Sequence, residues 1–148
     1  MTKKLLVPVD GSDHAFKALD FASEMAVKDA STLCLLYVVN KRELPESVRQ
    51  FAESEHLEGP PESIYEKVIA RNILQAALER ARDKGLSAVE TMERDGDPAK
   101  VIAKVANTQR FDAIVMGTRG LSDIRGLIMG SVAHKVNHLA KCTVITVK

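Results

Sequence analysis

Residues 4–13 read KLLVPVDGSD, and the fold of the chain is decided there. The run from 4 to 9 is almost continuously apolar, which is typical of a strand buried on both faces of a sheet. It ends at Asp10-Gly11-Ser12-Asp13, a turn whose polar side chains also suit the N-cap of a helix. The stretch therefore predicts a buried strand that passes directly into a helix, the usual opening of an α/β protein.

The same alternation of apolar runs and helical periodicity continues to the end of the chain. Asp97 and Pro98 have the residue types expected at a helix N-cap and first helical position. The predicted strands span 4–9, 33–39, 88–92, 111–116 and 143–147, and the helices span 14–28, 64–84, a segment around 101–106, and 131–140. The third strand is the least apolar and is expected near an edge. This order predicts a single-domain, open parallel α/β sheet with helices on both faces.

Length and composition fit one ordinary globular domain, 1–148, without a second domain or an internal repeat. The 148 residues are 45% hydrophobic and 28% charged, which excludes disordered and fibrous classes. Lys and Arg number 21 against 20 Asp and Glu, so net charge favours neither nucleic acid nor an anionic membrane as partner. The first apolar run is too short for a signal-peptide core, and we expect a cytoplasmic protein with reduced, buried cysteines.

A polar, acidic stretch at about 40–61, which contains Gly59-Pro60-Pro61, interrupts the pattern. It is longer than most connections inside a compact domain. We expect a flexible insertion there, and a mobile surface loop, a lid and a partner-binding arm are the alternatives.

Two segments that follow strands are the candidates for a ligand site, because ligands of open parallel sheets bind beyond the carboxyl ends of the strands. One is residues 9–12, and the other is the glycine-rich stretch 117–131. Glycine allows close backbone approach, and the amides at a helix N-terminus bind phosphate. Ser131 opens the following helix, where its hydroxyl either caps the helix or contacts a phosphate oxygen. The alternative is a glycine-rich turn without a ligand.

The glycine spacing is itself a motif. Gly117, Gly120, Gly130 and Ser131 spell G-x2-G-x9-G-[S/T], and the chain also contains VPVDGS, FDAIVMGTRG and MGSVAHKV in that order. Walker-type and dinucleotide-binding glycine motifs do not occur in the chain. Over nearly its whole length, the sequence resembles the ATP-binding branch of the universal stress protein (UspA-like) family.

The resemblance implies a five-stranded sheet of order 3-2-1-4-5, with ATP held between the ends of strands 1 and 4. By the same resemblance, Pro8, Val9 and Asp10 hold the adenosine, the backbone of Val38 contacts adenine, and Met116 lies beside the nucleotide.

The phosphate and ribose loop is also implied by the resemblance, and it comprises Gly117, Gly120, Gly130, Ser131 and Val132. Arg119 occupies a variable position of the motif and is expected to offset phosphate charge. The resemblance leaves open a Mg or Mn ion bound through the phosphates. It also implies a homodimer that pairs strand 143–147 across a two-fold axis, with an unknown protein partner.

Catalytic groups are not evident beside the glycine-rich stretch. His134 and His138 share a helix face at metal-ligand spacing, but no third ligand is evident, and an exposed face is the preferred interpretation. The leading hypothesis is a nucleotide-dependent stress-response or regulatory module. The alternatives are a slow ATPase that uses the same cleft and a structural homodimer whose cleft is normally empty.

Overall fold

The fold comes from a computed structural model, which describes residues 3–40, 54, 61–119 and 129–148, apart from the side chains of 61–65. The strands are β1 (Lys4–Pro8), β2 (Thr32–Val39), β3 (Val89–Asp95), β4 (Ala113–Gly117) and β5 (Thr143–Val147). The helices are α1 (Asp13–Asp29), α2 (Pro61–Asp83), α3 (Pro98–Thr108) and α4 (Ser131–Leu139). Most of the insertion predicted at about 40–61 lies outside the described residues.

The five strands form one parallel sheet of order β3-β2-β1-β4-β5. This confirms the predicted fold class and strand order, and it places β3 at an edge as expected. Chain order reverses on the two sides of β1, because β2 lies on one side and β4 on the other. The carboxyl ends of β1 and β4 therefore flank the topological switch point, where such sheets bind their ligands.

Helices cover both faces of the sheet, and the first strand shows why its sequence is continuously apolar. Leu5 and Val7 pack into the core beneath α1 and α2, whereas Leu6 packs into the core beneath α3 and α4. All three side chains are at most 2% exposed. Because both faces of β1 are buried, apolar and polar residues do not alternate along this strand.

Local signals in the sequence set the starts of two helices. The Ser12 hydroxyl accepts a hydrogen bond from the Ala15 amide and caps α1, and the Asp97 carboxylate accepts one from the Lys100 amide and caps α3. Pro98 opens α3, where a missing N–H costs nothing. The predicted start of α3 is confirmed, and the turn after β1 supplies the expected cap.

An ion pair joins α1 to α2, the two helices that cover the same face of the sheet. The Arg80 guanidinium donates to both carboxylate oxygens of Asp20 at 2.7 Å and stacks over the Phe16 ring. The hydrogen bond from Arg80 lowers the pKa of the Asp20 carboxyl. Within the described parts of the chain, no helix is both long and apolar enough to cross a bilayer.

Candidate functional site

The hydrogen-bonded pairing of β1 with β4 ends early because of Pro8. The Asp112 amide donates to the Lys4 carbonyl on the β4 side, and the Val9 amide donates to the Leu36 carbonyl on the β2 side, both at 2.9 Å. Successive residues of a strand face opposite neighbours, so residue 8 faces β4. Proline has no N–H to donate there.

The strand register agrees with this. Pairing between β1 and β4 is recorded at Leu5 and Leu6, whereas pairing between β1 and β2 continues to Pro8. The two central strands thus stop pairing two residues before β1 ends. Open parallel sheets hold their ligands in a crevice at this switch point, and Pro8 and Val9 lie at the end of β1 beside it.

We call this end of β1 one wall of the crevice and the N-terminus of α4, which is held against the end of β4, the other wall. The Thr118 amide donates to the Val147 carbonyl at 3.0 Å, and the Thr118 carbonyl accepts a hydrogen bond from the Gly130 amide. The two ends of the glycine-rich stretch are therefore joined at this point. Since Gly130 uses its own amide for this contact, the amides that remain for a ligand belong to the first turn of α4.

The first turn of α4 has the features of an anion site. Gly130 is the N-cap residue and makes no side-chain capping hydrogen bond, and no acidic residue occupies the first turn of the helix. By helix geometry, the amides of Val132 and Ala133 have no intrahelical acceptor. These amides and the helix dipole give this end of α4 a partial positive charge. Because Gly130 is the cap, the alternative in which Ser131 caps the helix is wrong.

Asp10 has a structural role at the crevice. Its Oδ1 accepts a hydrogen bond from the Ser12 amide at 2.9 Å, and this shapes the turn between β1 and α1. Gly11 within that turn adopts a φ of +87°, which L side chains rarely adopt. Asp10 itself is half-buried, and its second oxygen, Oδ2, has no hydrogen bond recorded among the described residues. The turn-capping role is therefore present, and it occupies Oδ1.

Gly117 has no room for a side chain, for a reason that the sequence does not reveal. A Cβ built there would lie 2.7 Å from the Cβ of His14 and 2.8 Å from its carbonyl carbon. The first turn of α1 thus rests directly on the end of β4. Close packing between helix and strand is by itself sufficient to require glycine at 117.

His14 is a residue that the sequence analysis missed. Its Nδ1 is buried and has no hydrogen-bond partner in the described structure. Its Cβ lies at the carboxyl end of β4, beside Gly117. A buried polar atom usually has a partner, and a ligand or a water molecule supplies one where the protein does not. No motif marks His14 in the sequence, because an isolated histidine in a first helical turn carries no signal.

The structure gathers most of the predicted site residues at one edge of the sheet. Val38 lies near the end of β2, and Met116 lies in β4 with 5% exposure; both pack into the core beneath α3 and α4. Arg119 is half-buried just beyond β4, and Val132 is half-buried in the first turn of α4. Gly120 lies outside the described residues.

Other reactive groups lie away from the crevice. Cys34 is buried in the core of β2, and desolvation raises the pKa of its thiol to about 11, so it is a poor nucleophile near neutral pH. Desolvation also raises the pKa of the Cys142 thiol. In the described part of the chain, no three His, Cys, Asp or Glu side chains are grouped to hold a metal ion.

Comparison with known proteins finds relatives over the whole length of the chain. A family description, "Usp: Universal stress protein family", matches residues 1–148. Universal stress protein YxiE of Bacillus subtilis is 35% identical over 156 residues, which cover all of both chains. The structure of universal stress protein UspA from Lactobacillus plantarum matches with a TM-score of 0.79 and 26% identity, over 99% of this chain and 97% of that one.

A second solved structure, a universal stress protein in complex with cAMP, matches with a TM-score of 0.68 and 26% identity. The match covers 99% of this chain and 96% of that chain. The whole-length family match and the 35% identical relative carry the assignment. This chain therefore belongs to the universal stress protein family.

Proposed function

We propose that this chain binds an adenine nucleotide, ATP, in the crevice between β1 and β4, and that it acts as a nucleotide-dependent regulatory module of the cytoplasmic stress response. The observation that carries the proposal is the N-terminus of α4, which has no side-chain cap and is tied to the end of β4 through Gly130 and Thr118. A relative of similar fold is described in complex with cAMP, which supports an adenine nucleotide as the ligand class.

The phosphates belong at the first turn of α4 in this proposal. The amides there, the helix dipole and the lack of an acidic residue in the first turn of α4 favour an anion. Gly130 lets the chain enter the helix without a side chain over that turn, and Ser131 and Val132 form the turn itself. Arg119, half-buried at the end of β4, supplies a positive charge for the phosphates. A Mg or Mn ion accompanying ATP would be held through the phosphates.

The nucleoside belongs at the other wall. Pro8 and Val9 form the apolar end of β1, and Asp10 offers Oδ2 to ribose or adenine groups while Oδ1 holds the turn. Val38 and Met116 line the adjoining strand ends, where core packing and contact with a base are compatible. The buried Nδ1 of His14 is a further candidate partner for the ligand.

A homodimer that pairs β5 of two copies is part of the proposal. One edge of β5 pairs with β4, and its sequence TVITV has no charged residue. An apolar sheet edge of this kind favours pairing with a second chain.

The first experiment is to denature freshly purified protein and identify any released small molecule by chromatography and mass spectrometry. We expect a stoichiometric adenine nucleotide. ATP would favour a binding module, and accumulation of ADP during incubation would favour the slow ATPase. Protein that is empty and that also fails to take up ATP or cAMP in calorimetry would contradict the proposal and favour the structural dimer.

Variants at Gly130 and at Asp10 test the two walls separately. Gly130→Asp would place a carboxylate over the first turn of α4, where it would cap the helix and repel phosphate, whereas Gly130→Asn would cap without charge. We expect the Asp variant to lose binding of both ATP and inorganic triphosphate, and the Asn variant to lose less. Asp10→Asn retains the Oδ1 that holds the turn, and it should weaken ATP more than triphosphate. Equal binding by all of these folded variants would mean that the ligand lies elsewhere.

A further inference from the structure

Two histidines on the outer face of α4 lie close together and have no part in the proposed nucleotide site. His134 and His138 are four residues apart, so they project from the same side of the helix on consecutive turns. Both are exposed. Their ring centroids are 5.4 Å apart, and the ring planes make an angle of 77°.

This separation is close to the one that a tetrahedral metal ion shared by the two rings requires. A metal–nitrogen bond of about 2.1 Å, plus about 1.1 Å from nitrogen to ring centre, puts each centroid about 3.2 Å from the metal. At the tetrahedral angle of Zn²⁺, the centroids of two such imidazoles are about 5.2 Å apart. At the right angle that Cu²⁺ and Ni²⁺ prefer, the centroids are about 4.5 Å apart. The observed 5.4 Å is close to the first distance, and rotation of the two exposed side chains would reach the second.

We propose that His134 and His138 form a two-histidine site for a borderline divalent transition metal, Cu²⁺, Ni²⁺ or Zn²⁺, on the exposed face of α4. Imidazole suits these ions, whereas Mg²⁺ and Ca²⁺ prefer oxygen ligands. Water completes the coordination, because the site faces solvent. Cu²⁺ binds most tightly of the three, as the general affinity order for first-row metals requires.

The chelate also has a mechanical consequence for α4. A metal that bridges residues on consecutive turns holds those turns in helical geometry. α4 is short, Ser131–Leu139, so a clamp across its middle affects much of the helix. Metal binding should therefore slow hydrogen exchange of the α4 amides, including those that follow the first turn.

The test is to titrate the nucleotide-free full chain with CuCl₂ and with ZnCl₂ in calorimetry, and to record the Cu²⁺ electron paramagnetic resonance spectrum. We expect one tight site per chain, nitrogen hyperfine structure from two imidazoles, and slower exchange in α4. His134→Gln and His138→Gln should each weaken Cu²⁺ by at least about tenfold. Gln keeps the helix and the exposure while it removes the imidazole.

Two controls separate this site from other sources of affinity. Cys142→Ser removes the thiol that follows α4 and should leave Cu²⁺ binding unchanged. MgCl₂ should give no binding at this site. The proposal is overturned if either histidine variant binds Cu²⁺ like the parent chain, if Cys142→Ser loses the site, or if Mg²⁺ competes with Cu²⁺ on equal terms.

Discussion

At the scale of single residues, Gly117 shows how one position meets two demands. It belongs to the glycine motif, yet a side chain added at this position would run into the backbone of His14. The close contact holds the start of α1 on the end of β4. Asp10 and Ser12 shape the turn that leads from β1 into the same helix.

We expect Gly117→Ala to destabilise the ligand-free protein by about 1–3 kcal/mol, because the added methyl group would force α1 and β4 apart. Thermal or urea unfolding without nucleotide measures this directly. A variant that unfolds like the parent chain but no longer binds nucleotide would instead mean that glycine is needed there to clear space for the ligand.

At the scale of elements, the crevice depends on where two strands stop pairing. β1 and β4 pair through Leu5 and Leu6, and the next residue of β1 that faces β4 is Pro8. Any residue other than proline at this position would have an amide N–H that could donate to β4. The proline therefore ends the hydrogen-bonded pairing of β1 with β4, while β1 stays paired with β2.

Pro8→Val should weaken nucleotide binding by a factor of about five, because binding would have to break a new backbone hydrogen bond worth about 1 kcal/mol. Calorimetry with ATP measures this loss, and unfolding experiments should show equal or higher stability. Pro98→Val, at the start of α3, controls for the general effect of removing a proline. If Pro8→Val bound ATP as tightly as the parent chain, the opening of the strands would not depend on the missing N–H.

At the scale of the whole molecule, the two edges of the sheet differ in character. β3 carries exposed charged side chains such as Glu90, Glu93 and Arg94, which discourage pairing with another strand. β5 carries none. The Val147 carbonyl faces β4, where it accepts from the Thr118 amide, so the amide of Thr146 faces the outer edge.

Thr146→Pro should convert the proposed dimer to a monomer and leave the fold intact, because it removes an outward N–H without touching the pairing with β4. Thr146→Ser keeps that N–H and is the control. Sedimentation or light scattering gives the mass in each case. A dimeric Thr146→Pro variant would place the interface elsewhere, and a monomeric parent chain would contradict the proposed dimer.

Much of the fold could be predicted because each element carries its own pattern. The strand predicted at 143–147 agrees with β5, and the caps of α1 and α3 follow from Ser12 and Asp97. β3 extends to Asp95, beyond the predicted end at 92, because pairing with β2 carries polar residues into the strand. Composition does not reveal how far a neighbouring strand continues.

The sequence by itself determined the alternation of strands and helices, the burial of both faces of the apolar β1, and the family resemblance, because these depend on local periodicity and on a motif of fixed spacing. Only the tertiary structure decided that Gly130 is the N-cap residue of α4, that Gly117 faces His14, and that the pairing of β1 with β4 ends before Pro8. Each of these is a contact between residues far apart in the chain or a backbone direction set by such a contact. Contacts of that kind leave no periodic trace in the sequence.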